Sequence, residues 1–110
     1  MKLGIIVYSN DRETVWNALR IAVFAQEKGD KVNIFFIAKG VEGEVISDEK
    51  YPIAAQLKDF KNWGGNIFAC QNCLKDRKME GTELMPASTL GDLYKRSEEH
   101  TSELQSRQSI

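Results

Sequence analysis

The chain has 110 residues, 42% of them hydrophobic and 28% charged, and a formal net charge of -1; this fits one domain with a modest core and leaves no basic footprint for nucleic acid. Its longest apolar runs are strand-sized and no basic stretch followed by a cleavable apolar segment opens it, so no membrane partner is expected and the expected location is the cytoplasm. The two cysteines, Cys70 and Cys73, are too close in sequence to staple distant parts of a fold, and a reducing compartment keeps them available for chemistry.

Lys2 to Tyr8 is a continuous apolar run rich in β-branched residues, which predicts a strand buried on both faces of a parallel sheet. Ser9-Asn10-Asp11 breaks it. With Asn10 as N-cap and Glu13 three positions on, a capping-box-like start predicts a helix from about Asp11 to Lys28, closed by Gly29. Its sheet-facing stripe is Val15, Ala18, Leu19, Ala22 and Ala25, while Glu13, Asn17, Arg20 and Glu27 mark the opposite face. Phe24 falls on that polar side and Trp16 at its border. They read either as single apolar residues partly covered by loops or as part of a subunit interface.

Lys31 to Ile37 is the second strand, and strand, helix, strand in this order makes a βαβ unit with a right-handed crossover and a parallel sheet. Ala38 to Asp48 reads as a long loop with Gly40, Gly43, Glu42 and Glu44, either a pocket wall or a solvated connection. Pro52 to Trp63 is a second helix with Ile53, Leu57 and Phe60 facing the sheet, ended by Gly64-Gly65. A short strand, Ile67-Phe68-Ala69, and a polar helix, Gln71 to Lys78, follow. Met79 to Pro86 is a connector, and Ser88 or Thr89 caps a last helix through Leu90, Leu93 and Tyr94.

The last fifteen residues, 96–110, are polar, lack periodicity and contain the only histidine, His100. Arg96 to Ser106 resembles, over eleven consecutive residues, the in-frame translation of a common short-read sequencing adapter. The expected division is therefore a domain over residues 1–95, truncated at its C-terminus, and a non-native, disordered or irregular tail over residues 96–110. A disordered natural tail is the alternative, and the codons for Arg96 to Ser106 distinguish the two. Without the tail, thirteen basic residues face thirteen acidic ones and no histidine remains. That excludes Ser-His-Asp and Cys-His pairs within one chain and leaves a zinc site two ligands short.

Cys70 falls where a strand's carboxyl end meets a helix's amino end, which is where open α/β sheets place ligand crevices. Free backbone amides there favour an anion such as a thiolate, which would make Cys70 nucleophilic. Cys73 lies one turn on along the same helix face, close enough to form a disulfide or to resolve an adduct on Cys70. It is expected to be the deeper of the two. The pair could equally be small buried hydrophobes, or half of a metal site completed by a symmetry mate. Ser9, Asn10 and Asp11 after the first strand, with Gln71 and Asn72 beside the cysteines, complete the candidate pocket, although Ser9 and Asn10 are also explained by capping alone. Lys75, Arg77 and Lys78 either raise the local potential or form a solvated helix face. Neither G-x-G-x-x-G nor a P-loop occurs.

Three segments together resemble the DsrE/DsrF-like family of small sulfur-relay proteins: Tyr8-Ser9-Asn10-Asp11 with Thr14-Val15-Trp16-Asn17-Ala18, Ala69-Cys70-x-x-Cys73-Leu74-Lys75, and Met79-Glu80-Gly81-Thr82-Glu83-Leu84. The resemblance covers residues 1–95. It implies a three-layer α/β/α domain on a mainly parallel five-stranded sheet, assembled as a homo-oligomer, trimeric or hexameric, or with related subunits. It implies a persulfide on Cys70 passed between sulfur donor and acceptor proteins, with Cys73 auxiliary and no cofactor. Relatives continue past Lys95 through the rest of the last helix and a final strand, so that strand is expected to be missing. Some have a cysteine where Met85 stands. Two other functions remain open: a dithiol oxidoreductase using the same pair, and a non-catalytic assembly or regulatory subunit with packing cysteines.

Overall fold

The computed structural model describes residues 2–99 and 105–109. The apolar run after Met1 forms strand β1 (Lys2–Val7), and the next two buried runs form β2 (Lys31–Phe36) and β3 (Asn66–Cys70). These three lie side by side in parallel register, with Val7 opposite Phe36 and Phe36 opposite Ala69. Two helices on the connections pack against them: α1 (Arg12–Glu27) on β1 and β2, and α2 (Ile53–Asn62) on α1 and β3. The stripe expected for α1 is the buried one, Val15, Ala18, Leu19, Ala22 and Ala25, and Ile53, Leu57 and Phe60 of α2 are wholly buried. They close over Ile5, Val7, Ile34, Phe36 and Ile67 to make the core. On the other face of the sheet Phe35 and Phe68 stack with ring centroids 5.3 Å apart.

A short helix, α3 (Gln71–Asp76), follows β3 directly, and a two-residue strand, β4 (Ala87–Ser88), extends the sheet beyond β3. The full order is β4-β3-β2-β1-β5, parallel at every pairing, where β5 is Gln105–Ser109. The expected α/β fold with a parallel sheet is therefore present.

Three local expectations are corrected. Asp11, not Asn10, is the N-cap of α1: its carboxylate accepts from the Thr14 N–H at 2.9 Å and from Thr14 Oγ1 at 2.8 Å. Asn10 is thereby released to point elsewhere. Residues 38–48 are not an open loop, because they begin with a 3-10 helix (Ala38–Glu42) whose Gly40 and Val41 are buried. That packing requires glycine: a β-carbon on Gly40 would lie 2.1 Å from the Val7 carbonyl oxygen.

The tail is the third correction. Helix α4 (Leu90–Glu99), capped by the Thr89 hydroxyl accepting from the Asp92 N–H at 3.0 Å, runs on past Lys95, and β5 pairs with β1 from Lys2–Gln105 to Ile6–Ser109. The strand expected to be missing is supplied by the segment expected to be irregular. Any extended peptide can satisfy the open N–H and C=O groups of a strand edge, whatever its side chains. His100 lies outside the described residues.

Trp16 is partly buried and meets Tyr51 at 6.5 Å between ring centroids, so a loop covers it. Phe24 is 59% exposed, with Ile21 also exposed and the Lys28 ammonium 5.2 Å above the Phe24 ring.

Candidate functional site

Strand β3 ends and α3 begins with no intervening residue, so Cys70 is at once the last strand residue and the N-cap of the helix. Its backbone is extended, φ -61° and ψ 119°, and no side-chain hydrogen bond caps the helix. Cys73 sits one turn on, and both cysteines are free thiols. Their burial reverses the expected order: Cys70 is only 6% exposed and belongs to the core, while Cys73 is only partly buried. The strand holds Cys70 in the sheet, and the helix carries Cys73 outward onto the surface left by the 3-10 helix.

The Cys73 sulfur accepts a backbone hydrogen bond: the Ala38 N–H donates to Cys73 Sγ at 3.2 Å. Ala38 makes its bond with a left-handed backbone, φ 50°, which an alanine adopts only at a cost of roughly 1–2 kcal/mol. Burial, followed by the hydrogen bond with Cys70, pushes the Cys73 thiol above its ordinary value, against the lowering effect of the Ala38 amide and the Arg77 charge.

Arg77 frames the far side. Its Nε lies 2.9 Å from Glu42 Oε2 and a terminal nitrogen donates to the Cys73 carbonyl at 3.1 Å. Asn10 Nδ2 donates to Glu42 Oε1 at 3.4 Å. The loop after β1, the 3-10 helix after β2 and α3 after β3 are thus tied together around Cys73, all at the carboxyl edge of the sheet. Arg77's hydrogen bond, then Asn10's, holds the Glu42 carboxyl below its ordinary range.

Of the expected pocket residues, Asn10 joins this cluster through Glu42. Ser9 and Asp11 serve the start of α1 instead, the Ser9 hydroxyl accepting from the Asp11 N–H at 3.0 Å. Gln71 lines a cavity of about 480 Å³ on another side of α3, with Leu74, Lys75, Lys78 and Met79. Asn72 is exposed. A second cavity, about 240 Å³, lies between Val41, Leu74, Met79 and Met85. Near it Thr82 binds the connector back to the loop after β2, its hydroxyl donating to Glu44 Oε1 at 2.5 Å and accepting from the Met85 N–H at 3.0 Å. Ala38 is the contributor that sequence reasoning missed. Nothing in an alanine's identity signals a left-handed backbone, although Gly40 and Glu42 had marked the segment. Among the described residues, no cluster of three or more metal-ligating side chains occurs and no helix is long and apolar enough to cross a membrane.

The DsrE/DsrF-like family matches residues 1–100. The chain belongs to that family. Solved structures agree with this DsrE/DsrF-like assignment at the level of fold. The ychN protein from E. coli is 17% identical, with a TM-score of 0.79 over 100% of both chains. A conserved protein of unknown function from Bacteroides thetaiotaomicron is 17% identical, with a TM-score of 0.74 over 99% of this chain and 94% of the other. A protein of unknown function from Methanobacterium thermoautotrophicum is 14% identical, with a TM-score of 0.72 over 96% and 97%. No curated protein matches the chain.

Proposed function

We propose that this DsrE/DsrF-like protein is a sulfur carrier with sulfurtransferase-like chemistry, holding a persulfide on Cys70 and passing the sulfur to a partner protein. The supporting observation is the pair of free thiols one helical turn apart at the junction of β3 and α3, one sheltered in the core and one partly exposed. In the loading step a cysteine thiolate attacks the outer sulfur of a donor persulfide. A new S–S bond forms on the carrier, the donor's S–S bond breaks, and the donor leaves as a thiolate. Delivery is the same displacement run toward an acceptor thiolate. A buried persulfide is shielded from water and stray thiols between the two steps, a role that suits the position of Cys70.

The test is mass spectrometry of the reduced chain after incubation with glutathione persulfide. The expected result is one added sulfur, mapped to Cys70 in the wild type and absent from that peptide in Cys70→Ser. No added sulfur on either cysteine rejects the carrier reading.

The spacing of the two free thiols, one helical turn apart, also favours a second reading, a dithiol oxidoreductase cycling through a Cys70–Cys73 disulfide. A redox titration with no two-electron couple dismisses it.

A further inference from the structure

We infer that the two cysteines act in series, with Cys73 as the receiving thiol that takes sulfur from the donor and hands it to Cys70. The inference rests on the carrier reading and adds the route by which sulfur reaches the sheltered site. Displacement at sulfur requires the attacking thiolate in line with the S–S bond that breaks, so the donor's leaving sulfur and its attached body must lie directly outward from the nucleophile. Cys70, 6% exposed and part of the core, has no room for that body. Cys73 lies outward of it on the next turn and is partly exposed. The Ala38 amide pointing at its sulfur at 3.2 Å supplies a hydrogen bond for a thiolate as it forms. Arg77 fixes the backbone beneath it through the Cys73 carbonyl.

Two displacements complete the route. Cys73, after losing its proton to solvent, attacks the outer sulfur of the donor persulfide, forming a Cys73 persulfide and releasing the donor thiolate. Cys70, after losing its proton to solvent or to the departing thiolate, attacks the outer sulfur of that Cys73 persulfide. The Cys70 persulfide forms, the Cys73 S–S bond breaks, and Cys73 leaves as a thiolate that takes up a proton to regain its starting thiol. No oxidant or reductant is consumed. The second step is intramolecular, between cysteines one helical turn apart at the start of α3, which favours it over a second encounter in solution. Attack on the inner sulfur would instead give a Cys70–Cys73 disulfide and release hydrosulfide.

The experiment compares a bulky donor, persulfidated serum albumin, with a small one, sodium tetrasulfide, on wild type, Cys70→Ser, Cys73→Ser and Cys73→Ala, mapping added sulfur over time. With the bulky donor, Cys70→Ser should accumulate sulfur on Cys73, and both Cys73 variants should load Cys70 at least about tenfold more slowly than wild type. Loading of the Cys73 variants by tetrasulfide should persist, which shows that their Cys70 site is intact. Wild-type loading rates in both Cys73 variants with the bulky donor overturn the serial route while leaving the carrier reading standing. Stoichiometric disulfide and released sulfide also overturn it, in favour of the inner-sulfur reaction. A wild type that takes up no sulfur from either donor overturns both.

Discussion

Ala38 and Cys73, 35 positions apart, meet through a 3.2 Å hydrogen bond from the Ala38 N–H to Cys73 Sγ. The amide reaches the sulfur only because Ala38 turns into the left-handed region, φ 50°, at the point where β2 gives way to the 3-10 helix. The strained backbone of Ala38 aims a donor at the sulfur, and the surrounding packing sustains it.

Replacing Ala38 by glycine should therefore stabilise the protein. Ala38 is exposed, so its methyl group packs against little. Removing the left-handed penalty of roughly 1–2 kcal/mol outweighs the glycine entropy cost of roughly 0.5–1 kcal/mol. Urea denaturation should show a gain of about 0.5–1 kcal/mol with Cys73 alkylation unchanged; a loss of stability would place the methyl group in a contact.

Alkylation of Cys73 should depend on pH in a defined direction. Its thiol is held above the ordinary value of 9.0, first by burial and then by the hydrogen bond with Cys70. Iodoacetamide labelling of this peptide should therefore rise with a midpoint above 9.0, and Cys70→Ala should move that midpoint down. The linkage runs the same way: the folded state holds this proton more tightly, so its contribution to stability is full below 9.0 and disappears as pH rises through the folded value. A midpoint below 9.0 in the wild type would contradict the burial.

Much of this arrangement could be read from the chain. Strand-length apolar runs, the stripe of α1 and the i, i+4, i+7 spacing of Ile53, Leu57 and Phe60 specify the sheet and its helices, because burial of a periodic face leaves few alternatives. The cysteine pair was legible as a strand-to-helix junction. The burial order of Cys70 and Cys73 was not, because it depends on the 3-10 helix in a segment that reads as loop. Asn10 and Asp11 are both good caps, and only the Thr14 hydroxyl, which adds a second bond to the same carboxylate, decides between them. The pairing of β5 was hidden for a different reason: edge pairing through backbone groups leaves no mark in the side chains.

Gly40 carries the approach of the 3-10 helix to β1. A methyl group there would sit 2.1 Å from the Val7 carbonyl oxygen and 2.8 Å from its carbon, both backbone atoms that cannot swing aside. Gly40→Ala should cost about 1–3 kcal/mol, as overpacking does. It should also displace Ala38, two residues earlier, so Cys73 alkylation should change along with stability. Unchanged melting and labelling would mean that the 3-10 helix is not seated on β1.

The Glu42–Arg77 pair should give the site an acid limit. Hydrogen bonds from Arg77 and then Asn10 hold Glu42 below its ordinary 4.5. A depressed carboxylate contributes stability that is present above the unfolded value and is lost as pH falls through the folded one. In Glu42→Gln that part of the acid dependence should disappear, and the stability curves of the variant and the wild type should converge as pH drops below 4.5. Parallel curves throughout would show that the pair adds nothing to the folded state.

Ending the chain after Glu99 should make it less soluble. The removed residues include β5, Gln105–Ser109, the neighbour of β1 on the side away from β2. Its composition, Gln-Ser-Arg-Gln-Ser, contains none of the apolar residues that usually hold a strand in a parallel sheet, so its contribution is the backbone ladder. Loss of that ladder leaves a row of open N–H and C=O groups along Lys2 to Ile6, beside a strand whose Ile5 and Val7 are wholly buried. Such an edge pairs readily with a second copy. Light scattering of the shortened and full-length chains at matched concentration should show earlier aggregation of the shortened one. A Leu3→Lys change in the shortened chain, which places a charge on the open edge strand, should delay it. Equal scattering and equal melting temperatures for the two lengths would mean that β1 gains no protection from β5.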